Sequence, residues 1–551
     1  MIEQIVVNKY RKLENLTFNF SPGVNIISGT NGTCKTSLLH MISNSFRAVT
    51  KTNKALIDPS CLVKIKTTNN ILNPKIENLT RGDKEYKDPA PGHKGAIYEA
   101  HYSNGSTLSF RKHNSGINSR YAVKPMYKAH AGESLPSLPV LYLGLFRLFS
   151  FGEFQDDDEL KKLKNNLPEN YQKQIFEIYE DFTGLRVSGA TNQEMGSIKK
   201  RADFVTDVNG IDSNTISAGE DNLFIIITAL VSLKYYFEST NQDNDNGSIL
   251  LVDEVDASLH PAFQNKLLNY FIKFSKDYNI QIFFTTHSLS LLEEAFLKKL
   301  NVTYLIDNIE KSQLLPDPDI YSIKMHLNQL TKEDDYLAKK IPIFTEDEEA
   351  RILLKQLFEF YSENKQFVNF DKNQSFFHFV NANIGSDNLI GIFNDGELLR
   401  STMRSICVLD GDQIPNMNNG IISLPGEASP EQFAIDYLRL LFNEKDEVLE
   451  SQSFITQGYT RPFLRDQFFK KIDEFEATLE GMESTKGKRR DFNKKFFKTH
   501  LSLFRMIFHT WIHDPRNEAT IIKFYNNLGS MFKRVSIFHG INPNEWKMVT
   551  V

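Results

Sequence analysis

A stretch near the N-terminus, Ser28 to Ser37, combines the residue types that a phosphate-binding loop requires. It reads Ser-Gly-Thr-Asn-Gly-Thr-Cys-Lys-Thr-Ser and stands between an apolar run at 24–27 and helix-compatible spacing at 38–42. In a strand–loop–helix arrangement, backbone N–H groups surround phosphate oxygens and the helix N-terminus adds positive potential. Lys35 is expected to reach the β- and γ-phosphates of a nucleotide, and the Thr36 hydroxyl is expected to bind Mg²⁺.

One position departs from the usual pattern, because Cys34 stands where a glycine normally precedes the lysine. A side chain at this position costs little if the backbone is helical and more if φ is positive. We therefore expect the loop to bind ATP and to hydrolyse it slowly. The other loop residues expected to contact the nucleotide are Gly29, Asn31, Gly32 and Ser37.

Further chemical groups follow along the chain in a fixed order. Ser217-Ala218-Gly219-Glu220 begins a helix with small residues, so its N-terminus can hold a γ-phosphate. Asp253 and Glu254 end an apolar strand, where the first can hold Mg²⁺ and the second can orient and deprotonate a water. His287 ends the next strand and can contact the γ-phosphate. Any one of these alone is more often a surface carboxylate or a core histidine, but the ordered set favours an ATPase.

The set resembles the head of ABC-type ATPases, whose Leu-Ser-Gly-Gly-Glu signature corresponds to residues 216–220. The resemblance covers about residues 1–305, and Val255 to Pro261 resembles the stretch after the catalytic glutamate in OLD-type and SMC-like branches. It implies that ATP is sandwiched head to tail between two protomers, in a homodimer or a higher homo-oligomer. No glutamine loop is evident, although Tyr142 to Arg147 lies in the corresponding region.

A second set of carboxylates lies further along the chain, with Glu346 after one strand and Asp410-Gly411-Asp412 after a later one. The pattern resembles a TOPRIM domain, and this implies one or two Mg²⁺ ions for phosphodiester chemistry. The family's usual acidic partner falls on Ala350, so neighbouring acidic residues substitute for it or the site is degenerate. Asp-Gly-Asp is also common in ordinary loops. Further candidates are Asp347, Glu348, Glu349, Glu427 and Glu431, with Lys494 or Lys495 as a cation for the transition state.

A basic segment, Lys486 to Arg490, continues to Lys494, Lys495 and Lys498 with phenylalanines between the lysines. This composition suits contact with a nucleic-acid backbone. A solvated helix face over an aromatic core explains it equally well. Both interpretations stay open.

The remaining polar clusters indicate structure or surface. His509 and His513 lie one helical turn apart, and a pair of this kind is usually structural. The acidic run Asp156 to Asp158 is typical of a solvated surface. The cysteines are Cys34, Cys61 and Cys407, and their wide spacing matches neither a zinc site nor a disulfide framework.

Composition limits the class of protein. The chain has 551 residues, of which 40% are hydrophobic and 24% charged, and its net charge is −5. This length allows two to four domains, and the charge excludes a basic character of the whole chain. The longest apolar run, Leu223 to Leu233, is shorter than the ~20 residues of a membrane helix, and no signal peptide is evident. We expect a cytoplasmic protein without a membrane partner.

Alternating strands and helices predict an α/β fold with largely parallel sheets. We expect an ABC-type ATPase head at 1–309, with a β-rich insertion at about 55–130 and a helical part at about 155–215. A connector at 310–338 should lead to a TOPRIM-like and helical C-terminal domain at 339–551.

An ABC-type head followed by a TOPRIM-like domain resembles bacterial anti-phage defence ATPases, and the phosphate loop with Cys34 is most similar to the Septu-type family. This resemblance implies a separate HNH nuclease subunit. In retron-associated forms it also implies a reverse transcriptase and its RNA–DNA product.

Three hypotheses follow. The chain is an ATPase subunit that controls a partner nuclease, a self-contained OLD-family nuclease gated by ATP, or an SMC-like repair or structural ATPase. The third predicts a long heptad arm between the phosphate loop and the signature, and the sequence has none. It therefore ranks last.

Overall fold

The structure, a computed structural model, describes residues 1–68, 88–114, 121–127, 134–148, 160–163, 167–195, 199–212, 215–241, 247–401, 404–479 and 485–550. Two compact units divide the chain, Met1–Leu327 and Asn328–Val551. The acidic run 156–158 lies outside the described residues, as does most of the loop after 241.

The first unit contains both sheets and helices. Its strands are β1 (Ile2–Tyr10), β2 (Leu13–Asn19), β3 (Val24–Gly29), β4 (Ala96–Tyr102), β5 (Thr107–Asn114), β6 (Tyr121–Met126), β7 (Val140–Leu143), β8 (Leu160–Leu163), β9 (Val187–Met195), β10 (Lys199–Thr206), β11 (Ser248–Val252), β12 (Ile280–Thr286), β13 (Asn301–Asn308) and β14 (Lys311–Leu314). Its helices are α1 (Lys35–Asn44), α2 (Ser60–Thr68), α3 (Glu169–Thr183), α4 (Ala218–Glu238), α5 (Pro261–Tyr278), α6 (Leu289–Leu297) and α7 (Ile320–Leu327).

A six-stranded sheet with the order β14-β13-β3-β12-β11-β7 forms the centre of this unit. All neighbouring pairs from β13 to β7 are parallel, and only β14 pairs antiparallel. Every residue of β3, β11 and β12 is buried, as expected for parallel strands covered on both faces. The carboxyl ends of β3, β11 and β12 therefore meet at one edge, where the predicted phosphate loop, carboxylates and histidine follow.

A second sheet of this unit is antiparallel, with the order β2-β1-β4-β5-β6. A hairpin turn at Ser103 to Gly105 joins β4 to β5, which pair antiparallel. Gly105 has φ 77°, the left-handed conformation that such a turn requires.

Several predicted elements differ from the structure. Residues 60–68 form a helix rather than a strand, because Cys61, Leu62 and Ile65 are buried at helical spacing. The segment expected to be helical at about 155–215 contains α3 and also the three-stranded antiparallel sheet β10-β9-β8. The charged residues of that segment satisfy helical spacing, but cross-strand pairing decides their conformation. Part of the expected connector also belongs to the first unit, since β14 pairs with β13.

The described residues between the phosphate loop and the signature contain no long helical arm. The longest helix there is α3, with 15 residues. Across the described part of the chain, no helix is long and apolar enough to cross a membrane.

The second unit is built on four strands, β15 (Ile341–Thr345), β16 (Phe377–Phe379), β17 (Ile406–Leu409) and β18 (Ile421–Ser423). They form one parallel sheet with the order β16-β15-β17-β18. Its helices are α8 (Lys332–Ala338), α9 (Glu348–Glu363), α10 (Phe370–Asn373), α11 (Ser386–Asn394), α12 (Gly396–Ser401), α13 (Pro430–Asn443), α14 (Gln452–Thr456), α15 (Arg461–Phe463), α16 (Lys470–Leu479), α17 (Lys486–Thr499), α18 (Leu501–His513) and α19 (Glu518–Ser536). A π-helical stretch, Leu464–Phe469, joins α15 to α16.

The core of the second unit is rich in aromatic side chains. Two phenylalanines of α17, Phe496 and Phe497, are buried in this core. Phe492 packs against it and stacks on Phe475 with ring centroids 3.9 Å apart. These phenylalanines therefore hold one face of α17 against the protein, while Lys488, Lys495 and Lys498 are exposed.

Candidate functional site

The predicted phosphate loop connects the carboxyl end of β3 to the start of α1. Gly29 has φ 150°, and a Cβ added there would overlap the backbone oxygen of Leu305, so glycine is required. Asn31 and Gly32 are exposed at the tip of the loop. Gly32 has φ 78°. The loop thus has fixed ends and an accessible tip.

Cys34 precedes α1 with φ 67° and ψ 27°, in the left-handed region. Of the two cases that the sequence left open, the structure has the more costly one. A side chain in this conformation costs roughly 1–2 kcal/mol. The thiol is half-buried and free, and it packs against the core beneath α1.

Lys35 lies folded against its own loop. Its side chain is buried, and Nζ donates to the backbone oxygens of Gly29 at 3.1 Å and Thr30 at 3.0 Å. Burial lowers the pKa of Lys35, and the negative charges of Asp253 and Glu254 act in the opposite direction. Among the described residues its hydrogen-bond partners are neutral carbonyls, so this buried ammonium has no anion in direct contact. A phosphate group would supply one.

A chain of hydrogen bonds joins α1 to the ends of β11 and β12. Thr36 Oγ1 donates to Asp253 Oδ2 at 2.8 Å, and Thr285 Oγ1 donates to Asp253 Oδ1 at 2.6 Å. The backbone N–H of Glu254 donates to Thr285 Oγ1 at 2.6 Å. The hydroxyl and the carboxylate predicted to bind Mg²⁺ are therefore in contact. Their oxygens are the type of ligand that Mg²⁺ prefers, so the residues fit Mg-ATP.

The predicted catalytic base and the histidine lie at neighbouring strand ends. Glu254 is half-buried with φ 49°, and the ring of His287 is exposed. The backbone N–H of His287 is 3.3 Å from both carboxylate oxygens of Asp256. Partial desolvation lowers the pKa of His287, and the positive charge of Lys35 adds to this effect. The imidazole is therefore neutral near pH 7, and the fold brings Lys35, Asp253, Glu254 and His287 together.

The signature residues cap the N-terminus of α4. The Ser217 hydroxyl accepts from the backbone N–H of Glu220, and the Glu220 carboxylate accepts from the backbone N–H of Ser217 at 2.9 Å. This reciprocal capping box fixes the helix start. Ser217 is exposed. A Cβ added to Gly219 would overlap the backbone oxygen of Ser258, so the signature packs tightly on the loop after β11.

Two cations beside the phosphate loop were not predicted from the sequence. The turn between β1 and β2 carries Arg11 and Lys12, and Arg11 has φ 53°. Arg11 donates to the Ser37 hydroxyl at 3.1 Å, and Lys12 pairs with Asp307 at 2.7 Å. The only signal was a short basic turn between two strands, and no motif spacing connects that turn to the loop.

A histidine–tyrosine pair was also missed. His40 Nε2 lies 3.2 Å from the Tyr142 hydroxyl, at the end of β7 where a glutamine loop was sought. Burial lowers the pKa of His40 to about 4, although the Asp253 charge acts in the opposite direction. His40 is therefore neutral in the folded protein near pH 7. The side chain of Arg147 lies outside the described residues.

The carboxylates of the second unit gather at the carboxyl ends of β15 and β17. Glu346, Asp347 and Asp410 are all buried, and the backbone N–H of Asp410 donates to Glu346 Oε1 at 3.1 Å. Glu431, at the start of α13, is also buried. Asp412 is exposed and accepts a hydrogen bond from its neighbour Gln413. Of the three predicted ligands, the fold therefore buries Glu346 and Asp410 and leaves Asp412 at the surface.

The family position that falls on Ala350 is indeed apolar and lies in the hydrophobic core. Its backbone N–H donates to Asp347 Oδ1, which caps α9. Glu349 beside it is buried, whereas Glu348 and Glu427 are exposed. Asp347 and Glu349 are thus the acidic neighbours that join the buried group.

Burial and mutual repulsion set the protonation of these carboxylates. Burial raises the pKa of Asp410 to about 9, with Glu346 and Asp347 adding to the rise. Burial likewise raises the pKa of Glu431 to about 7 and raises that of Glu346. Asp410 Oδ1 and Glu431 Oε2 are buried without a hydrogen-bond partner. These orphaned oxygens suit a cation, but no three His, Cys, Asp or Glu side chains in the described residues are grouped to hold a metal ion as they stand.

Cations from α17 reach the same carboxylates. Lys494 Nζ lies 2.6 Å from Asp347 Oδ2, and Arg490 lies 3.8 Å from Glu346 Oε2. Lys495 is exposed. Of the two lysines proposed for the transition state, Lys494 therefore contacts the cluster, whereas Lys495 lies at the surface.

The rings of His509 and His513 stack with centroids 4.0 Å apart, and His513 Nδ1 lies 2.8 Å from the His509 backbone oxygen. This contact occupies one ring nitrogen. The pair thus has a structural arrangement and shows no sign of a metal site.

Comparison with protein families shows which class of domain this chain contains. Residues 154–292 match the model of a family described as an AAA ATPase domain. These residues include the signature, strand β11 with Asp253 and Glu254 after it, and strand β12 with His287 after it. Together with the α/β fold and the phosphate loop, this match shows that the chain carries an ATPase domain, which implies ATP binding.

Comparison with individual proteins finds a relative that is similar in sequence. The Septu protein PtuA of Bacillus thuringiensis is 24% identical over 334 residues, which cover 54% of this chain and 75% of that protein. Among solved structures, the SMC head domain from Thermotoga maritima is 13% identical, covers 58% of this chain and 99% of its own, and has a TM-score of 0.31. The recombination mediator protein RecF of the RecFOR pathway is 13% identical, covers 57% and 98%, and has the same TM-score. At this TM-score, the two structural likenesses support no conclusion about function.

Proposed function

We propose that this chain is the ATP-binding and slowly hydrolysing subunit of a bacterial anti-phage defence system, which dimerises around ATP to control a nuclease partner. One observation supports the nucleotide part most directly. The buried Lys35 ammonium contacts only neutral carbonyls, next to a Thr36 hydroxyl that is hydrogen-bonded to Asp253. An ammonium, a hydroxyl and a carboxylate in this arrangement are the groups that bind the phosphates of a nucleotide and its divalent cation.

The proposed roles follow from these contacts. Lys35 and the backbone of Gly29 to Ser37 bind the phosphates, and Thr36 and Asp253 hold the Mg²⁺. When bound, Mg²⁺ neutralises charge on the phosphates and orients them. Glu254 orients and deprotonates the attacking water, and neutral His287 contacts the γ-phosphate as a hydrogen-bond donor.

Dimerisation around ATP is supported by the signature. Ser217 is exposed at the N-terminus of α4, which has 21 residues and therefore a substantial positive end potential. Gly219 and Glu220 complete the surface that would meet the nucleotide of the other protomer. Two sites should then form in a head-to-tail homodimer or in a higher homo-oligomer.

The partner part of the proposal is supported by the likeness to the Septu protein PtuA. We propose a separate nuclease subunit of HNH type, with a reverse transcriptase and its RNA–DNA product in a retron-associated form. The ATP state of the heads would hold or release that nuclease.

The nucleotide proposal is tested by ATP binding and by mass in solution. Lys35→Ala should lose ATP binding and ATP-dependent dimerisation, and Glu254→Gln should keep both and hydrolyse poorly. Lys51→Ala, at an exposed lysine, is the matched control and should behave as wild type. Normal ATP binding and dimer closure by Lys35→Ala would contradict the proposal. Co-purification from the native operon then tests for a nuclease or a reverse transcriptase.

A second candidate function is a self-contained OLD-family nuclease gated by ATP. It is favoured by the unpartnered buried oxygens of Asp410 and Glu431 beside Glu346, on a parallel sheet that suits a TOPRIM-like interpretation. These residues, with Asp412 at the rim, would hold Mg²⁺, which would neutralise the attacked phosphate.

One assay separates the two candidates. The purified chain alone is incubated with ATP, DNA or RNA, and Mg²⁺ or Mn²⁺. Cleavage that Asp410→Ala abolishes would support the second candidate. Inertness until a partner is added would support the first.

A further inference from the structure

Helix α17 carries three cations on one stripe. Arg490, Lys494 and Lys498 stand at successive spacings of four residues, so they share one helix face. Each of them acts on a carboxylate of the buried cluster: Arg490 lies 3.8 Å from Glu346, Lys494 lies 2.6 Å from Asp347, and the charge of Lys498 acts on Glu349. The helix therefore lies along the cluster as a row of counter-ions.

The two members of each pair differ strongly in exposure. The side chains of Glu346 and Asp347 are 2% and 6% exposed, whereas those of Arg490 and Lys494 are 52% and 29% exposed. The carboxylates thus lie inside and the cations at the surface. An anion from solvent can reach the cations without entering the protein.

The cations do not balance the cluster. Asp410 Oδ1 and Glu431 Oε2 are buried without partners, and both residues are more than nine-tenths buried. Besides burial, the negative charges of Glu346 and Asp347 raise the pKa of Asp410, and that of Asp347 raises the pKa of Glu431, so both residues face the same cluster. An additional cation is therefore favourable there. As they stand, no three His, Cys, Asp or Glu side chains among the described residues are grouped to hold a metal ion, and Asp347 Oδ2 is paired with Lys494.

We propose that the Arg490–Lys494–Lys498 stripe is a binding surface for a nucleic-acid phosphate backbone, and that Asp347 holds Lys494 until phosphate and a divalent cation replace each partner. A divalent cation on the carboxylates releases Lys494 toward phosphate, and phosphate on Lys494 releases Asp347 toward the divalent cation. The two ligands therefore bind with positive coupling, which is equal in both directions. This holds whether or not the second unit cuts nucleic acid, and it does not depend on ATP.

This coupling acts against the usual effect of divalent cations on binding to nucleic acid. Mg²⁺ competes with protein for phosphates, so it normally weakens binding to nucleic acid. In this protein the release of Lys494 should offset that loss. If the ion pairs only fasten α17 to the core, Mg²⁺ should simply weaken binding.

The experiment measures the anisotropy of a short fluorescein-labelled single-stranded DNA with the full chain and no ATP. Asp347→Asn removes the charge that holds Lys494 and keeps an oxygen to cap α9. Without Mg²⁺ it should bind about fivefold more tightly than wild type, the effect expected when one partly exposed ion pair is lost. Glu348→Gln removes the same charge from the exposed neighbouring residue and should change affinity less than twofold.

The same variants test the coupling. At constant ionic strength, the ratio of affinities with and without Mg²⁺ should be about fivefold more favourable in wild type than in Asp347→Asn. Lys494→Ala should weaken binding and lose this difference, while Lys365→Ala, at an exposed lysine, should match wild type. Equal tightening by Asp347→Asn and Glu348→Gln, or equal Mg²⁺ effects in wild type and Asp347→Asn, would overturn the proposal.

A second measurement needs no variant and keeps the proposal testable if Asp347→Asn does not fold. Lys494 Nζ lies 2.6 Å from Asp347 Oδ2, and this ion pair shields the amine from acylating reagents, so release should increase its reactivity. Acetylation of the wild-type chain is followed by mass spectrometry with Mg²⁺ alone and with DNA alone. Mg²⁺ should increase the labelling of Lys494 relative to Lys365, and DNA should decrease it. Unchanged labelling of Lys494 with Mg²⁺ would overturn the coupling.

Discussion

Substitutions of Cys34 test whether its backbone is strained. The sign of the stability difference between the glycine and alanine variants depends on φ at this position. This residue has φ 67° and ψ 27° in the phosphate loop, a conformation that costs a side chain roughly 1–2 kcal/mol. Glycine avoids this cost, but it loses roughly 0.5–1 kcal/mol more conformational free energy on folding than alanine does. The two contributions oppose each other, and the first is larger.

The comparison that isolates them is Cys34→Gly against Cys34→Ala. Both variants remove the half-buried thiol and its packing on the core beneath α1, so this loss cancels between them. Taken from the middle of both ranges, the difference leaves Cys34→Gly more stable by ~0.75 kcal/mol. At an ordinary helical position the order is reversed, because alanine is favoured over glycine by ~1 kcal/mol.

Calorimetric unfolding of the full chain measures the difference. The transition of the first unit is identified as the one that ATP shifts to higher temperature. Both variants are compared in that transition without nucleotide. If Cys34→Ala is as stable as Cys34→Gly or more so, the strain assigned to this residue is refuted. If the cysteine also slows turnover, Cys34→Gly should hydrolyse ATP faster than wild type.

Three further predictions concern Gly219, His40 and Asp410. Gly219→Ala should destabilise the first unit by about 1–3 kcal/mol in denaturation experiments, because its Cβ would overlap the backbone oxygen of Ser258. Burial lowers the pKa of His40 from its ordinary 6.5 to about 4, so the unfolded chain binds more protons between these two values. Stability should therefore fall with decreasing pH in this range by about 1.4 kcal/mol per unit. Denaturation of His40→Gln at several pH values should lack that slope. The pKa of Asp410, about 9 instead of 3.8, has the opposite sign, so without divalent cations stability should fall as pH rises through this window and Asp410→Asn should be more stable than wild type at pH 8.

Local sequence predicted the elements that carry the ATP site. The apolar runs at 248–252 and 280–285 predict buried strands, and parallel strands of one sheet bring their carboxyl ends to one edge. The proximity of Thr36 and Asp253 therefore follows from the order of the elements and their hydrophobic pattern. Strand β17 likewise lies where its apolar residues predicted it.

Other contacts could not be predicted, because they depend on tertiary distance or on backbone angles. Thr285 is a strand residue with no motif, yet its hydroxyl joins Asp253 to the backbone of Glu254. Lys494 meets Asp347 across 147 positions of sequence, and only packing of the aromatic face of α17 sets that contact. The φ of Cys34 is likewise set by how the loop joins β3 to α1. The misassigned helix near residues 155–215 has the same cause, since strand pairing overrides local charge spacing.

Strained backbone in the ATP-site loops connects these observations. Cys34, Glu254 and Ser258 all have positive φ, at 67°, 49° and 69°, and each non-glycine residue there costs roughly 1–3 kcal/mol. Surrounding contacts hold them: Thr285 fixes the N–H of Glu254, and Gly219 lets the signature helix pack directly on Ser258. Because contacts within the protein hold these strained residues, ATP does not have to order the loops on binding. We therefore expect ATP affinity to depend mainly on contacts with the phosphates and Mg²⁺. Movement of the signature helix in the proposed dimer would instead act on the loop that carries the catalytic glutamate of the same chain.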